Sequence, residues 1–115
     1  MALKMYILIK DTVDLGHAVL ASAHASLGGY LSFTRDVGYS DEVKKSTDIW
    51  SRESFRKVVC KVDNFGFEQA KLVAVNNKLA YRVMTESALD NAEVALVFAP
   101  REVWPKFFKY LKLYR

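Results

Sequence analysis

The sequence predicts a single α/β domain over residues 1–115, a three-layer α/β/α sandwich built on a four-stranded mixed sheet. Short apolar runs rich in β-branched residues alternate with longer helical patterns, as in strands joined by helices. One long helical stretch, residues 14–33, consists almost entirely of small and apolar residues. The last two strand-like runs are separated by a connection too short for a helix, so we expect them to be antiparallel neighbours.

The first strand and the first helix are predicted near the start of the chain. Residues 4–10, KMYILIK, form a continuous apolar run with charged ends, which indicates a central strand. Asp14 can cap the following helix, because its carboxylate accepts hydrogen bonds from the free N–H groups there. Residues 18–27 offer no wide polar face, so we expect protein on both sides of the helix. Gly28 and Gly29 would weaken it unless a neighbouring backbone approaches closely.

The middle of the chain predicts a second helix, a second strand and a third helix. Ser40 is an N-cap signal followed by acidic residues, which indicates a short, mostly exposed helix. Residues 55–62, FRKVVCKV, are strand-like. Asp63 can cap a helix over residues 65–77.

Two strands and a closing helix complete the predicted fold. Residues 80–86 and 93–99 indicate the third and fourth strands, and residues 87–92 connect them. Pro105 fits only near the start of a helix, so we expect a last helix from there to the C-terminus. The predicted order is β-α-α-β-α-β-β-α, with right-handed crossovers after the first and second strands.

Composition and cysteine content limit the classes of protein to which this chain can belong. Of 115 residues, 51% are hydrophobic and 26% are charged, which indicates a globular domain and excludes a long disordered segment. The single cysteine, Cys60, lies in an apolar run, which favours a buried, reduced thiol over a nucleophile. No run approaches the ~20 apolar residues that span a bilayer, and no signal-peptide pattern is present. We therefore expect a cytoplasmic protein without membrane contact.

Basic residues concentrate near the end of the sequence. The formal net charge of +4 allows an RNA or phosphate partner without requiring one. After Pro100 the basic residues outnumber the acidic ones, and aromatic residues lie between them. Lys106 and Lys109 are therefore candidate RNA-binding residues on the predicted closing helix. The alternative is an amphipathic helix whose basic face is solvated.

Both histidines lie on the first helix. Steps of four, three and four place four residues along one stripe: His17, Ala21, His24 and Gly28. Seven residues separate the histidines by roughly 10 Å, too far to share a metal ion, so we expect no metal and no cofactor. For His24 the sequence favours a core histidine with one hydrogen-bond partner. For His17, at the helix mouth, a functional and a structural role both stay open.

In its motifs the chain resembles the type-II peptidyl-tRNA hydrolases and related domains of the same fold. In that family a first strand ending in a basic residue leads to a Met-Gly-Lys-Gly-Lys loop, then to Ala-Ala-Gln and His-Ala on the first helix. Residues 5–10 are similar to that strand, and Leu15-Gly16-His17, Ala21 and His24-Ala25 are similar to the loop and helix. Residues 111–114, Leu-Lys-Leu-Tyr, are similar to the family's closing residues. The resemblance covers most of the chain.

The departures from the family fall where its chemistry should be. The family's essential lysine falls on His17, its glutamine falls on Ala21, and the loop before them is shorter. Its aspartate after the third strand falls near Glu86, with Thr85 beside it, and its Gly-Lys/Arg-Thr loop has no clear counterpart in residues 87–92. A lysine is charged at any physiological pH, whereas a histidine of ordinary pKa is mostly neutral at pH 7.

The resemblance implies hydrolysis of the ester between a stalled peptide and tRNA, which needs an activated water and positive charge. His17 would transfer the proton or face a phosphate, and Glu86 with Thr85 would orient it or the water. The residues expected to bind substrate are Lys10, Asp11, Gly16, His24, Lys106 and Lys109. Thr85 and Glu86 are equally compatible with a plain strand end, and Lys10 and Asp11 with a solvated turn.

A function of another class stays open beside hydrolysis. The chain can be a catalytically silent binding module of the same fold, which takes RNA, a small ligand or a protein partner. The substituted lysine and glutamine positions favour this alternative, and the retained stripe on the first helix favours the hydrolase. The expected partner is tRNA, and a homodimer stays an open alternative.

Overall fold

The computed structural model describes residues 2–115, which form a mixed β-sheet with three α-helices. The elements are β1 Lys4–Lys10, α1 Leu15–Arg35, α2 Asp41–Arg52, β2 Arg56–Val62, α3 Asn64–Asn76, β3 Tyr81–Glu86, β4 Ala92–Arg101 and β5 Lys112–Leu113. Short 3₁₀ turns occupy Ser87–Leu89 and Lys106–Tyr110. The predicted order of helices and strands is confirmed up to β4.

The strands of the sheet follow the order β3-β4-β1-β2-β5. β1 runs parallel to β2 and antiparallel to β4, and β4 runs antiparallel to β3. The mixed sheet and the antiparallel pair of third and fourth strands are therefore confirmed. Asp90 and Asn91 reverse the chain between these strands, with φ angles of 55° and 59° in the left-handed region that asparagine and aspartate tolerate.

The C-terminal segment differs from the prediction. Pro105 precedes a 3₁₀ turn rather than a closing helix, and β5 pairs antiparallel with β2, so the described sheet has five strands, not four. Aromatic packing explains this path. The rings of Trp104 and Phe108 lie 4.7 and 4.9 Å from that of Tyr6, measured between centroids, and hold the segment against the sheet. A helix of the few residues after Pro105 would be marginal without comparable packing.

Alternate residues of β1 belong to two separate buried clusters. Met5, Ile7 and Ile9 pack with residues of α1 and with the tryptophan of α2. Tyr6 and Leu8 pack with apolar residues of α3 and of the C-terminal segment. Because successive side chains of a strand point to opposite faces, the two clusters lie on opposite faces of the sheet. The N-terminus of α1 and the start of α3 are therefore on different sides of the molecule.

Small residues let α1 lie close to the sheet. A Cβ atom added to Gly29 would lie 2.8 Å from Cγ2 of Val97, and one added to Gly28 would lie 3.1 Å from Cε of Met84. A close approach is present at both glycines, but the neighbours are side chains rather than the backbone that was expected from the sequence. Side chains of β3 and β4 therefore contact α1 at these two glycines, and a larger residue at either position would push them away.

The outer side of α1 is open to solvent, so the expectation of protein on both sides of this helix was wrong. Leu15, Val19 and Leu27 are 68%, 63% and 62% exposed. Apart from Phe33, the buried residues of the helix are alanine, glycine and serine, whereas four of its larger aliphatic residues are exposed: Leu15, Val19, Leu20 and Leu27. Both sides of the helix are apolar, so hydropathy alone could not distinguish the buried side from the exposed side.

Candidate active site

The candidate site lies at the edge of the sheet where β1 and β3 end. Ile9 of β1 and Met84 of β3 both lie opposite Ala95 of β4, so the two strands run side by side across β4 and end together. The chain leaves β1 through a short loop and enters α1 at the same edge. Strand ends beside a helix N-terminus are a common place for polar groups that act on a ligand.

Asp14 and His17 form a hydrogen-bonded pair at the start of α1. The carboxylate of Asp14 accepts the backbone N–H of His17 at 3.0 Å, which caps the helix. The same carboxylate lies 2.9 and 3.1 Å from Nδ1 of the His17 ring. Because a carboxylate only accepts, the hydrogen between the two groups belongs to Nδ1. In the neutral imidazole, Nε2 then carries the lone pair.

The pair shifts the pKa values of both partners. Hydrogen bonds from His17, first from its backbone N–H and then from its ring, lower the pKa of Asp14. The side-chain hydrogen bond to Asp14 and then the charge of Asp14 raise the pKa of His17. Asp14 is therefore an anion at neutral pH, and His17 holds its proton to a higher pH than an ordinary histidine does. The side chain of His17 is 32% exposed and that of Asp14 is 68% exposed, so solvent reaches both.

Glu86 lies near this pair without bonding to the imidazole. Its negative charge makes a smaller contribution to the raised pKa of His17 than Asp14 does. Its carboxylate instead accepts the backbone N–H of Ala88 at 3.1 Å and caps the turn after β3. Thr85 precedes it as an exposed residue at an irregularity in the β3–β4 register. The structure thus brings His17 and Glu86 to the same edge, but the direct partner of His17 is Asp14.

Lys10 and Asp11, the expected neighbours of this site, are placed differently. The Lys10 ammonium lies 4.6 Å from the ring centroid of Phe67 on α3, a cation–π contact on the face opposite α1. Asp11 is exposed, and its backbone N–H continues the β1–β2 ladder by donating to the carbonyl of Val62 at 2.7 Å. Lys10 therefore extends away from His17 because it follows the alternation of β1.

The remaining candidates on α1 do not form one site with His17. Gly16 is exposed, and a Cβ atom there would meet Asp14 Oδ1 at an ordinary 3.6 Å, so the local geometry does not demand glycine. His24 is exposed, so the expectation of a buried core histidine was wrong. On this turn of the helix the buried residues that face the sheet are Ala21 and Ala25, and His24 lies outside the core. Ala21, at the position of the family's glutamine, is 3% exposed.

Lys106 and Lys109 lie on the 3₁₀ turn that replaces the expected helix. Both are exposed. Their turn packs through Phe108 into the cluster on the α3 face of the sheet. They therefore do not share a surface with His17.

Sequence reasoning missed the role of Asp14 toward the histidine. Asp14 was predicted only as a helix cap, and Glu86 was expected to face His17. The available signal was the spacing of three residues between Asp14 and His17, which lets an N-cap side chain reach the side chain one turn later. An aspartate cap followed by histidine at this spacing predicts such a pair.

Cys60, the one cysteine of the chain, is chemically unsuited to act as a nucleophile. It is buried, as predicted, and burial raises the pKa of its thiol to about 11. Its thiolate is therefore scarce at neutral pH.

Searches of the chain against models of protein families and against curated proteins found no match. The resemblance to the type-II peptidyl-tRNA hydrolases therefore rests on the residues given above. No helix among residues 2–115 combines the length and the apolar character that crossing a bilayer requires.

The arrangement of the pair is suited to general acid–base chemistry. A carboxylate that holds Nδ1–H of a histidine fixes the tautomer and leaves Nε2 to take a proton from water. The N-terminus of α1 adds a positive helix dipole to the same place, which favours developing negative charge. Together these groups can activate a water molecule against an ester.

Proposed function

We propose that this protein hydrolyses a carboxylic ester of the peptidyl-tRNA type, in the cytoplasm, with His17 as the general base. Its fold would be the three-layer α/β/α sandwich of the type-II peptidyl-tRNA hydrolases, extended by the fifth strand. The two clusters on opposite faces of the sheet support this layering. The motifs on β1, on α1 and at the end of the chain support the family.

The Asp14–His17 pair is the observation that carries the proposal. Asp14 keeps Nδ1 of His17 protonated, and Nε2 accepts a proton from the attacking water. The water oxygen bonds to the ester carbon, and His17 returns the proton to the tRNA ribose oxygen as it leaves. Asp14 acts as a positioning residue and stabilises the imidazolium that forms in between. Glu86 adds a smaller stabilisation of the same cation.

The expected turnover is slow. The family places a lysine where this chain has His17, and a glutamine where it has the buried Ala21. The site therefore has fewer groups to stabilise the negative charge on the ester oxygen, which is often the largest contribution to catalysis. The helix N-terminus supplies only a partial charge in its place.

Turnover of a defined peptidyl-tRNA tests the proposal. Removing a general base typically costs about 10²- to 10⁴-fold in rate, so we expect a loss in that range for His17→Ala. His24→Ala, compared at saturating substrate, is the matched control for the chemical step, because it removes an exposed histidine from the same helix and leaves Asp14 in place. In the parent, the rate should rise with pH through the pKa of His17. A rate that rises on acidification, with a faster His17→Lys variant, would instead make His17 a substitute for the family's lysine cation.

The second candidate function is a binding module without catalysis. Two observations favour the binding module. The Asp14–His17 pair is exposed, so the site does not exclude water. The buried Ala21 occupies the family's glutamine position and offers no side-chain group to hold an oxyanion. If the parent, His17→Ala and His17→Lys all match the rate of buffer alone, the hydrolase proposal is wrong and the binding module takes its place.

A further inference from the structure

We propose that the cleft between the C-terminal half of α1 and β3 binds phosphate groups of the RNA strand whose ester reaches His17. This inference rests on the proposed function and names the part of the surface that would hold the nucleic acid. The cleft has a volume of about 440 Å³. Its lining residues are Leu31, Ser32, Arg35, Asp36, Tyr39 and Arg82.

Arg82 is fixed in this cleft by contacts with α1. Its Nη1 donates to the hydroxyl of Ser32 at 2.7 Å and to the carbonyl of Gly28 at 3.1 Å. Ser32 is buried, at 5% exposed, so this anchor is part of the folded core. A Cβ atom at Gly28 would lie 3.4 Å from Nη1, so the glycine lets the guanidinium lie directly on the helix. Arg82 is thus held in place before any ligand arrives.

Within the described part of the chain, Arg82 forms no ion pair with a carboxylate. Nε and Nη2 of its guanidinium donate no hydrogen bond to a protein acceptor there. An arginine fixed at one nitrogen can offer the others to a phosphate in the planar geometry that phosphate favours.

Two further cations accompany Arg82. Arg35 lies in the last turn of α1, and its side chain makes no hydrogen bond or ion pair with residues 2–115. Lys44 reaches the same end of the cleft, where its Nζ donates to the carbonyls of Asp36 and Tyr39 at 2.7 and 3.0 Å. The carboxylate of Asp36 is the acidic group of the lining and forms no ion pair with either arginine. Two arginines in the lining, with Lys44 beside it, outnumber the one carboxylate and leave the cleft positive.

The cleft and His17 lie on the same side of α1. Residues 17, 24, 28 and 35 are separated by nearly whole helical turns, so they lie along one side of α1. That side faces β3, because Gly28 lies beside Met84 and Arg82 of β3. From His17 to Arg35 the helix rises roughly 27 Å at ~1.5 Å per residue. A strand of RNA lying along this side would place a phosphate at Arg35 and Arg82 and its 3′ end near His17. Lys106 and Lys109 lie on the α3 face and cannot make such a path.

Binding of deacylated tRNA tests the inference, with affinity measured at two salt concentrations. The test variant is the double substitution Arg35→Gln, Arg82→Gln. The matched control is Lys106→Gln, Lys109→Gln, which changes the net charge by the same amount on the other face. We expect roughly tenfold weaker binding for each arginine removed, because each charge-assisted contact to phosphate is lost. The salt dependence should flatten by about one unit for each lost contact. The lysine control should bind as the parent does.

Two further readouts keep the test decisive. Arg35→Gln alone removes a side chain without structural partners, so it should fold and still lose about tenfold in affinity. Hydrolysis of peptidyl-tRNA by the parent and by His17→Ala is the second readout. Loss of binding in the arginine variants without any His17-dependent hydrolysis would support the RNA surface and overturn the proposed hydrolase. Binding that is equal in the parent and both arginine variants, or weakened only by the lysine control, would overturn the inference whether or not hydrolysis is found.

Discussion

One carboxylate, that of Asp14, both caps helix α1 and holds the ring of His17. It accepts the backbone N–H of His17 at 3.0 Å and lies 2.9 Å from Nδ1 of the same residue. The local backbone of the helix start therefore fixes the position of the carboxylate, and the carboxylate in turn fixes the imidazole. A pair within one helical turn needs no distant element to assemble it.

The pKa of His17 should fall when Asp14 becomes asparagine. The amide can still accept the N–H of His17 and cap the helix, but it carries no charge to favour the imidazolium. An NMR titration of the His17 ring in the parent and in Asp14→Asn measures the shift. Asp63→Asn is the matched control, because Asp63 caps α3 by accepting from Gly66 at 2.6 Å and has no histidine one turn later. An unchanged pKa in Asp14→Asn would contradict the pairing.

The same pair predicts a window of pH in which it stabilises the fold. The pKa of His17 is raised from 6.5, so its contribution is fully present below pH 6.5 and is lost as pH rises through the raised value. The pKa of Asp14 is lowered from 3.8, so its contribution is present above pH 3.8 and is lost as pH falls through the lowered value. The pair therefore stabilises most between these two ordinary values.

Thermal unfolding of the parent and His17→Gln at pH 5.5 and pH 9 checks this window. We expect a larger difference in Tm between the two proteins at pH 5.5 than at pH 9. His24→Gln serves as the control, because the ring of His24 makes no hydrogen bond or ion pair with the described residues. The same pH dependence in both variants would show that it does not arise from the Asp14–His17 pair.

Much of the fold could be predicted because its signals are local. Ser40 accepts the N–H of Val43 at 3.2 Å and Asp63 accepts that of Gly66 at 2.6 Å, so the caps of α2 and α3 act as the sequence indicated. β1 begins and ends where its apolar run does. The short connection between β3 and β4 decided their antiparallel pairing. Each of these features depends on a few neighbouring residues.

The features that sequence reasoning missed depend on packing between distant residues. The predicted closing helix does not form around Phe108, because its ring packs on Tyr6, about a hundred positions earlier in the chain. The side of α1 that meets the sheet was decided by residue size, since Gly29 fits against Val97 where a leucine would not. His17 bonds to Asp14 rather than Glu86 because Glu86 caps its own turn. Local sequence patterns do not show which of several possible partners a side chain will contact in the folded protein.

The contact between Gly29 and Val97 predicts a large effect of one methyl group. A Cβ atom at Gly29 would lie 2.8 Å from Cγ2 of Val97, which is fully buried and cannot move freely. We expect Gly29→Ala to destabilise the protein by about 1–3 kcal/mol, despite the better helix propensity of alanine. Chemical denaturation measures the change. Gly38→Ala is the control, because nothing lies within 4 Å of the added atom, and it should change stability by less than ~0.5 kcal/mol.

The rate of ester hydrolysis should depend on Asp14 more than on Glu86. Asp14 contacts Nδ1 of His17 directly, whereas Glu86 acts on the imidazole only through its charge and raises its pKa less than Asp14 does. In Asp14→Asn the amide no longer selects the tautomer with a free Nε2, so we expect the rate to fall by at least about tenfold. The pH at which the rate reaches its plateau should also move lower, because the pKa of His17 falls.

Glu86→Gln is the comparison that separates the two carboxylates. We expect its pH profile to move in the same direction by a smaller amount, and its rate to stay within about threefold of the parent, since the imidazole keeps its Asp14 partner. The measurement is turnover of peptidyl-tRNA by the parent and both variants from mildly acidic to mildly basic pH. A loss in Glu86→Gln that exceeds the loss in Asp14→Asn would transfer the positioning role to Glu86. It would also mean that the side chain of Glu86 leaves its turn and reaches His17 when substrate binds.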